Sequence, residues 1–219
     1  DGISGVSPIA RALIDHAEVL VGGARHLAML PPDDRREKLT WTSPIAVSIE
    51  ALIRRRGQPT CVLASGDPMC YGIGVTLTRS LSVAEMTIVP APSAFSLACA
   101  RLGWSLTEVE TVSLCGREPA LLHAVCYPGA RVLVLSAGQH TPAIVAAYLT
   151  QRGFGQSHMT ILERMGSAHE GRVEGTAASW NATDVAELHT IAITCIADPG
   201  VTGWSRLAGL PDAAYHHDG

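Results

Sequence analysis

The chain has 219 residues, of which 47% are apolar and only 16% charged, with a formal net charge of −4. That length is enough for one large or two small packed domains, and the apolar balance excludes a disordered chain. The weakly acidic charge provides no broad basic face for nucleic acid or an anionic membrane, and no apolar run approaches bilayer-spanning length. Residues 1–13 show neither a signal-peptide pattern nor an initiator Met, so the native chain is expected to begin earlier. Six cysteines (Cys61, Cys70, Cys99, Cys115, Cys126 and Cys195) form no C-x-x-C pair, and several sit in apolar runs. This is the usage of buried, reduced thiols, so a cytoplasmic protein without a structural zinc site is expected. Lys38 is the single lysine, which excludes a P-loop lysine and argues against a Schiff base.

In chain order, Ser7-Pro8 opens the first predicted helix. The hydroxyl caps free N–H groups, and Pro at the first helical position loses no hydrogen bond. "EVLVG" at 18–22 then reads as a strand. Ser43-Pro44 repeats the helix-start signal. Ile45, Ile49, Leu52 and Ile53 share one face of the helix that follows, Arg54, Arg55 and Arg56 lie at its negative end, and Gly57 stops it. Further strands are predicted at "TCVLAS" (60–65), "MTIVPA" (86–91), "ETVSLCG" (110–116), "ARVLVLSAG" (130–138), "HMTILER" (158–164) and "HTIAITCIAD" (189–198). Thr141-Pro142 opens another helix between the fourth and fifth of these. The alternation predicts an α/β fold with parallel units and sheets covered on both faces. The division is expected at 112/113, giving subdomains 1–112 and 113–210. The stretch "GSAHEGRVEGTAASW" breaks the alternation and predicts a mixed second sheet. Residues 211–219 read as a linker tail, with His216 and His217 exposed to solvent.

The stretch "LASGDPMCYGIG" (63–74) carries the clearest chemical signal. Ligands of open α/β sheets bind beyond the carboxyl ends of the strands, which is where Gly66-Asp67-Pro68 falls. A phosphate cradle does not fit. There is no Lys, Leu77 stands where G-x-G-x-x-G needs its third glycine, and Asp67 would repel a pyrophosphate. A ligand with hydroxyls, an ammonium or a sulfonium suits the carboxylate, and S-adenosylmethionine has all three. A plain turn is the competing reading, since Asp bonds the backbone ahead of it and Pro fixes φ.

"ASGDPMCYGIG" resembles the Gly-Asp-Pro loop of the tetrapyrrole (corrin/porphyrin) methyltransferase family. "IVPAPSAFSLACARLGWS", "ILERMGSAHEGRVEGTAASW" and "HTIAITCIA" resemble later blocks of that family in the same order. "AEVLVGGARHLAML" and "GLPDAAYHHDG" are similar to segments of the branch that methylates C5 of precorrins. The resemblance implies two α/β domains with the cofactor in the interdomain cleft. It implies S-adenosyl-L-methionine-dependent C-methylation of a precorrin at C5, in cobalamin biosynthesis. It also implies a homodimer, and a separate C-terminal methylase and decarboxylase domain as partner. Relatives acting on uroporphyrinogen, ribosomal RNA or diphthine, and a non-catalytic corrinoid-binding domain, are the alternatives; the charge argues against RNA. The chain departs from the family in two places. The family normally begins with a strand and a Gly-x-Gly loop, of which only a trailing Asp1-Gly2 stands in this sequence, and Cys115 stands where this branch has His.

On that resemblance the expected cofactor-binding residues are Gly66, Asp67, Pro68 and Met69, then Ser93, Ala94 and Phe95 at a helix start, Ser136 and Ala137 after a strand, and Met165. Substrate carboxylates would meet Arg25, Arg117 and Arg164, because guanidinium binds carboxylate through two parallel hydrogen bonds. Tyr71 would face the macrocycle. Glu163 and Glu170 are expected to form an interdomain ion pair, or else to position Arg or act in proton removal after methylation. Methyl transfer is a direct displacement, so no covalent nucleophile, catalytic triad or metal is expected.

Overall fold

The computed structural model describes residues 2–201. The expected linker tail, with His216 and His217, lies outside the described residues. The chain divides into two compact units between Ser93 and Ala94.

In the first unit, helix α1 (Pro8–His16) starts as its sequence dictates: Ser7 Oγ accepts the Ala10 N–H at 3.2 Å, and Pro8 takes the first helical position. Strand β1 (Val19–Gly22) is buried along its whole length, and its residues alternate between two covers. Leu20 packs with Ile14 and Ala17 at the end of α1, and with Leu30 and Leu63. Val19 and Val21 pack on the other face with Ile49 and Leu52 of α3 (Ile45–Ile53) and Leu77 of α4 (Ile73–Leu77). Each such side chain contributes about 1.5–3 kcal/mol when fully buried. This burial holds the small sheet between its helices. Strands β2 (Glu37–Thr40) and β3 (Thr60–Val62) flank β1, and both pair with it in parallel, in the order β2-β1-β3. The short helix α2 (Ala24–Leu27) follows β1 after one residue. All three strands therefore end on one edge, where the turns after β1 and β3 lie side by side. Pro44 is the N-cap of α3 rather than its first residue.

The second unit holds a five-stranded sheet. Its strands are β4 (Glu110–Ser113), β5 (Arg131–Leu135), β6 (His158–Glu163), β7 (Gly171–Thr176) and β8 (His189–Thr194), in the order β4-β5-β8-β6-β7. Only β4 and β5 are parallel; the pairs β5–β8, β8–β6 and β6–β7 are antiparallel. The mixed sheet expected for this half is present. Val132, Val134, Met159, Ile161, Ile191 and Ile193 form one core with Val145 and Leu149 of α6 (Thr141–Gln151) and with Phe154. Leu133 and Ala192 alternate to the opposite face, and α5 (Ala94–Leu102) packs on β5 and β8.

Two expectations change. "MTIVPA" forms no strand; Pro90 and Pro92 carry no N–H and cannot donate to a ladder. The sequence reading grouped 94–112 with the first half. In the structure α5 lies on β5 and β8, so the compact unit begins at Ala94.

Candidate functional site

The turn after β3 holds Gly66, Asp67, Pro68, Met69 and Tyr71 together. Asp67 Oδ1 accepts the Met69 N–H at 2.8 Å, and the Asp67 carbonyl accepts the Cys70 N–H. The carboxylate thus closes its own turn through one oxygen. Gly66 and Tyr71 both have positive φ, +59° and +53°. Tyr71 is a costly residue in that region, and its ring is exposed. Gly72 and Gly74 serve the loop rather than a phosphate. A Cβ on Gly72 would stand 2.5 Å from the Pro68 carbonyl oxygen, and one on Gly74 would stand 2.7 Å from the same atom. The Gly74 N–H donates to that oxygen at 3.0 Å. The second half of the motif therefore closes over Pro68.

The turn after β1 meets this loop. Arg25 Nη2 donates to Ser65 Oγ at 2.8 Å, and His26 Nε2 lies 2.8 Å from the same oxygen. Burial, and then the neighbouring Arg25 charge, lower the His26 pKa below its usual value. His26 Nδ1 is buried and has no hydrogen-bond partner among the described residues. Ser65 was missed in the sequence. Its only signal there was a hydroxyl just before the Gly-Asp-Pro turn.

In the second unit the strand register places most expected residues along one edge of the sheet. Ser113 pairs with Leu135, Leu135 with Thr190, and Glu163 with His189. The turns carrying Arg117, Ser136 and Ala137, and Arg164 and Met165 therefore lie at the same end. The turn at Ser136 and Ala137 is closed by its neighbours: Ser136 Oγ donates to the Gly138 carbonyl at 3.0 Å, and the Ala137 N–H donates to Thr141 Oγ1 at 3.1 Å. The Cys115 thiol donates to the Ser136 carbonyl at 3.1 Å, joining the turns after β4 and β5. Arg164 has φ +47°, with its N–H on the Leu188 carbonyl. Glu187 was missed in the sequence. It accepts the Gln139 N–H at 3.3 Å and closes against Gly138.

Ser93 ends the first unit, while Ala94 and Phe95 open α5 in the second. Phe95 is 2% exposed, so its ring is core. Glu170 pairs with Arg101 at 2.6 Å and accepts the Gly166 N–H. Both partners belong to the second unit, so this is not the interdomain pair expected. The Arg101 hydrogen bond, followed by that from Gly166, holds the Glu170 pKa down to about 2. Glu163 Oε1 accepts the Ala186 N–H at 2.6 Å. Burial lowers the His189 pKa, opposed by the Ala186 carbonyl and by Glu163 and Glu187.

The model of the Tetrapyrrole (Corrin/Porphyrin) Methylases matches residues 3–180. A precorrin-6Y C(5,15)-methyltransferase [decarboxylating] from Sinorhizobium sp is 42% identical over 219 residues, which is 100% of this chain and 53% of that protein. The chain thus spans about half the length of that curated relative. A cobalt-precorrin-7 C(5)-methyltransferase from Salmonella typhimurium is 32% identical over 165 residues, covering 75% of this chain and 81% of that one. The crystal structure of a precorrin-6Y methylase from Archaeoglobus fulgidus superposes with a TM-score of 0.64 at 25% identity, covering 87% of this chain and 91% of that one.

Proposed function

The chain belongs to the tetrapyrrole (corrin/porphyrin) methylases, and from that premise we propose that it catalyses S-adenosylmethionine-dependent C-methylation of a precorrin, at C5, in cobalamin biosynthesis. One observation carries the choice of carbon. The chain spans about half of the relative named for C5 and C15, and most of the relative named for C5 alone. The half represented here is then the C5 half. Methylation at C15 and decarboxylation belong to the remainder of the longer protein, which is the proposed partner domain.

The residues of the Gly-Asp-Pro loop fit the cofactor. Among the described residues only one oxygen of Asp67 is engaged, on Met69 N–H. The other is available to ribose hydroxyls or an ammonium group. Loop and Ser65 both sit at the carboxyl edge of a parallel sheet, where ligands of such sheets bind. Bound there, S-adenosylmethionine would supply an electrophilic methyl group and leave as a neutral thioether. The protein's task is then alignment and exclusion of water, an effect worth roughly 7–11 kcal/mol in well-aligned intramolecular reactions. Gly66, Asp67, Pro68 and Met69 are the proposed cofactor residues of the first unit. The proposed contribution of the second unit is Ala94 and Phe95 together with the edge turns holding Ser136, Ala137 and Met165. Arg25, Arg117 and Arg164 are the proposed partners of the macrocycle's carboxylates.

The test supplies the full-length protein with the precorrin substrate and a methyl-labelled donor, and locates the label by NMR. Label at C5 is expected. Label at C15 alone, or no binding of S-adenosylmethionine by calorimetry, would overturn the proposal.

A further inference from the structure

Methyl transfer from a cationic donor to a neutral macrocycle leaves a proton in excess. The macrocycle carbon contributes an electron pair to the new C–C bond, and the S–C pair leaves with sulfur. The positive charge would be left on the macrocycle unless an N–H proton departs as the C–C bond forms. A base must receive that proton. Glu170 is committed to Arg101 and Gly166, and Glu163 to Ala186. The turn after β1 contains a different group.

We propose that His26, acting through the Ser65 hydroxyl, accepts the proton released when the macrocycle is methylated. The donor and acceptor roles follow from the residue types. Guanidinium can only donate, and Arg25 Nη2 stands 2.8 Å from Ser65 Oγ and 3.5 Å from His26 Nε2. Ser65 Oγ therefore accepts from Arg25; Nε2 faces the same donor, so in the proposed arrangement it too is an acceptor and takes the Ser65 proton, 2.8 Å away. Nε2 is left as an acceptor and Nδ1 carries the ring proton. The incoming proton goes to Ser65 Oγ while the Ser65 proton passes to Nε2. The N–H electron pair stays on the macrocycle and neutralises it. Imidazolium beside Arg25 is unfavourable, so the proton is readily passed on to solvent.

The surrounding sequence is built for this ring. A Cβ at Gly22 would stand 3.3 Å from both His26 Cβ and Leu63 Cβ, and Gly23 lies against Nδ1. The two glycines thus admit the imidazole between the ends of β1 and β3. Its Nδ1 is left buried and unpartnered there, a cost that a merely structural His would not need. The charged groups around it are few. Arg25 is on the same helix. From β2, Glu37 pairs with Arg55 and Lys38 donates to the Asp34 carbonyl. On β3, burial pushes the Cys61 thiol up, so it is neutral. In the loop, Asp67 turns one oxygen to the Met69 N–H. Arg25 is therefore the charge that sets the state of His26, and it lowers its pKa in the same direction as burial.

This inference rests on the methyltransferase reading, and the experiment separates the two. On the full-length protein, imidazole nitrogen NMR is expected to show the Nδ1–H tautomer of His26 at pH 7 and a pKa below the usual 6.5. An Nε2–H tautomer would overturn the proposal. Single-turnover methylation by the wild type is expected to fall tenfold per pH unit below the His26 pKa. His26→Gln is expected to lose that limb and run roughly 100- to 10,000-fold slower, with its affinity for S-adenosylmethionine kept within twofold. Ser65→Ala, which removes the hydroxyl that relays the proton, is expected to slow transfer and to lose the limb as well. A wild-type rate and profile in both variants would overturn the proton route while leaving the methyltransferase reading intact. A wild type that neither binds S-adenosylmethionine nor transfers methyl would overturn both.

Discussion

Asp67 has two separable duties, and two substitutions distinguish them. Its Oδ1 closes the turn on Met69 N–H at 2.8 Å, and its charge is the proposed attraction for the cofactor. Asn keeps an oxygen in the turn-closing position but removes the charge, whereas Ala removes both. A turn-closing hydrogen bond is worth about 0.5–1.5 kcal/mol net. Asp67→Ala should therefore lose about 1 kcal/mol of stability in urea unfolding, and Asp67→Asn should lose almost none. Hydrogen bonds to a charged group are worth roughly 1.5–3 kcal/mol, which converts to about a 10- to 150-fold loss of affinity. Both variants should show that loss when S-adenosylmethionine is titrated by calorimetry. Wild-type affinity in Asp67→Asn would refute the role of the charge. Wild-type affinity in both would return the motif to a plain turn.

Gly72→Ala forces a Cβ to 2.5 Å from the Pro68 carbonyl oxygen; it should cost about 1–3 kcal/mol by overpacking and also weaken cofactor binding. Unchanged urea unfolding would refute the close approach. Glu170 has a folded pKa of about 2 against an ordinary 4.5, set first by Arg101. Its contribution to stability is thus present above pH 4.5 and lost as the pH falls towards 2. The stability difference between wild type and Glu170→Gln should shrink over that window, and a constant difference in acid titrations would refute the pairing. Leu133, fully buried on β5, should cost about 2–5 kcal/mol when changed to Ala. A loss under 1 kcal/mol in urea unfolding would place it outside the core.

The elements legible in the sequence are those whose burial is written into residue type. Strand β1 and the central residues of β5 and β8 are apolar because they are buried. Strand β2 escaped notice because Glu37, Lys38 and Thr40 are exposed on an edge, where charge is compatible with pairing and protects against further pairing. Strand β7 is likewise an outer strand, and its exposed alternating residues gave only the hint of a mixed sheet. The segment at 86–91 has strand-like residues, but Pro90 within it and Pro92 just after it cannot donate to a ladder. The small apolar residues of α5 reveal that a face is buried and not which sheet it covers, so the division was read too late.

The candidate site divides in the same way. The Gly-Asp-Pro loop was legible because turn chemistry is local. The cluster at Ser65 was not, because its members are 39 and 40 residues apart and meet only when β1 and β3 pair in parallel. That pairing also changes the meaning of the glycines. Gly72 and Gly74 looked like remnants of a phosphate cradle, yet they exist to let the chain close over Pro68. Gly22 and Gly23 had no assigned task, yet they admit the His26 ring beside Leu63. Gly-Gly-x-Arg-His and Ser-Gly-Asp-Pro are therefore two halves of one arrangement, with the hydroxyl of Ser65 as the shared atom. If a carboxylate at Asp67 selects a cationic donor, the same edge must also dispose of the charge that the donor transfers. A neutral imidazole held between a hydroxyl and a guanidinium is suited to that task.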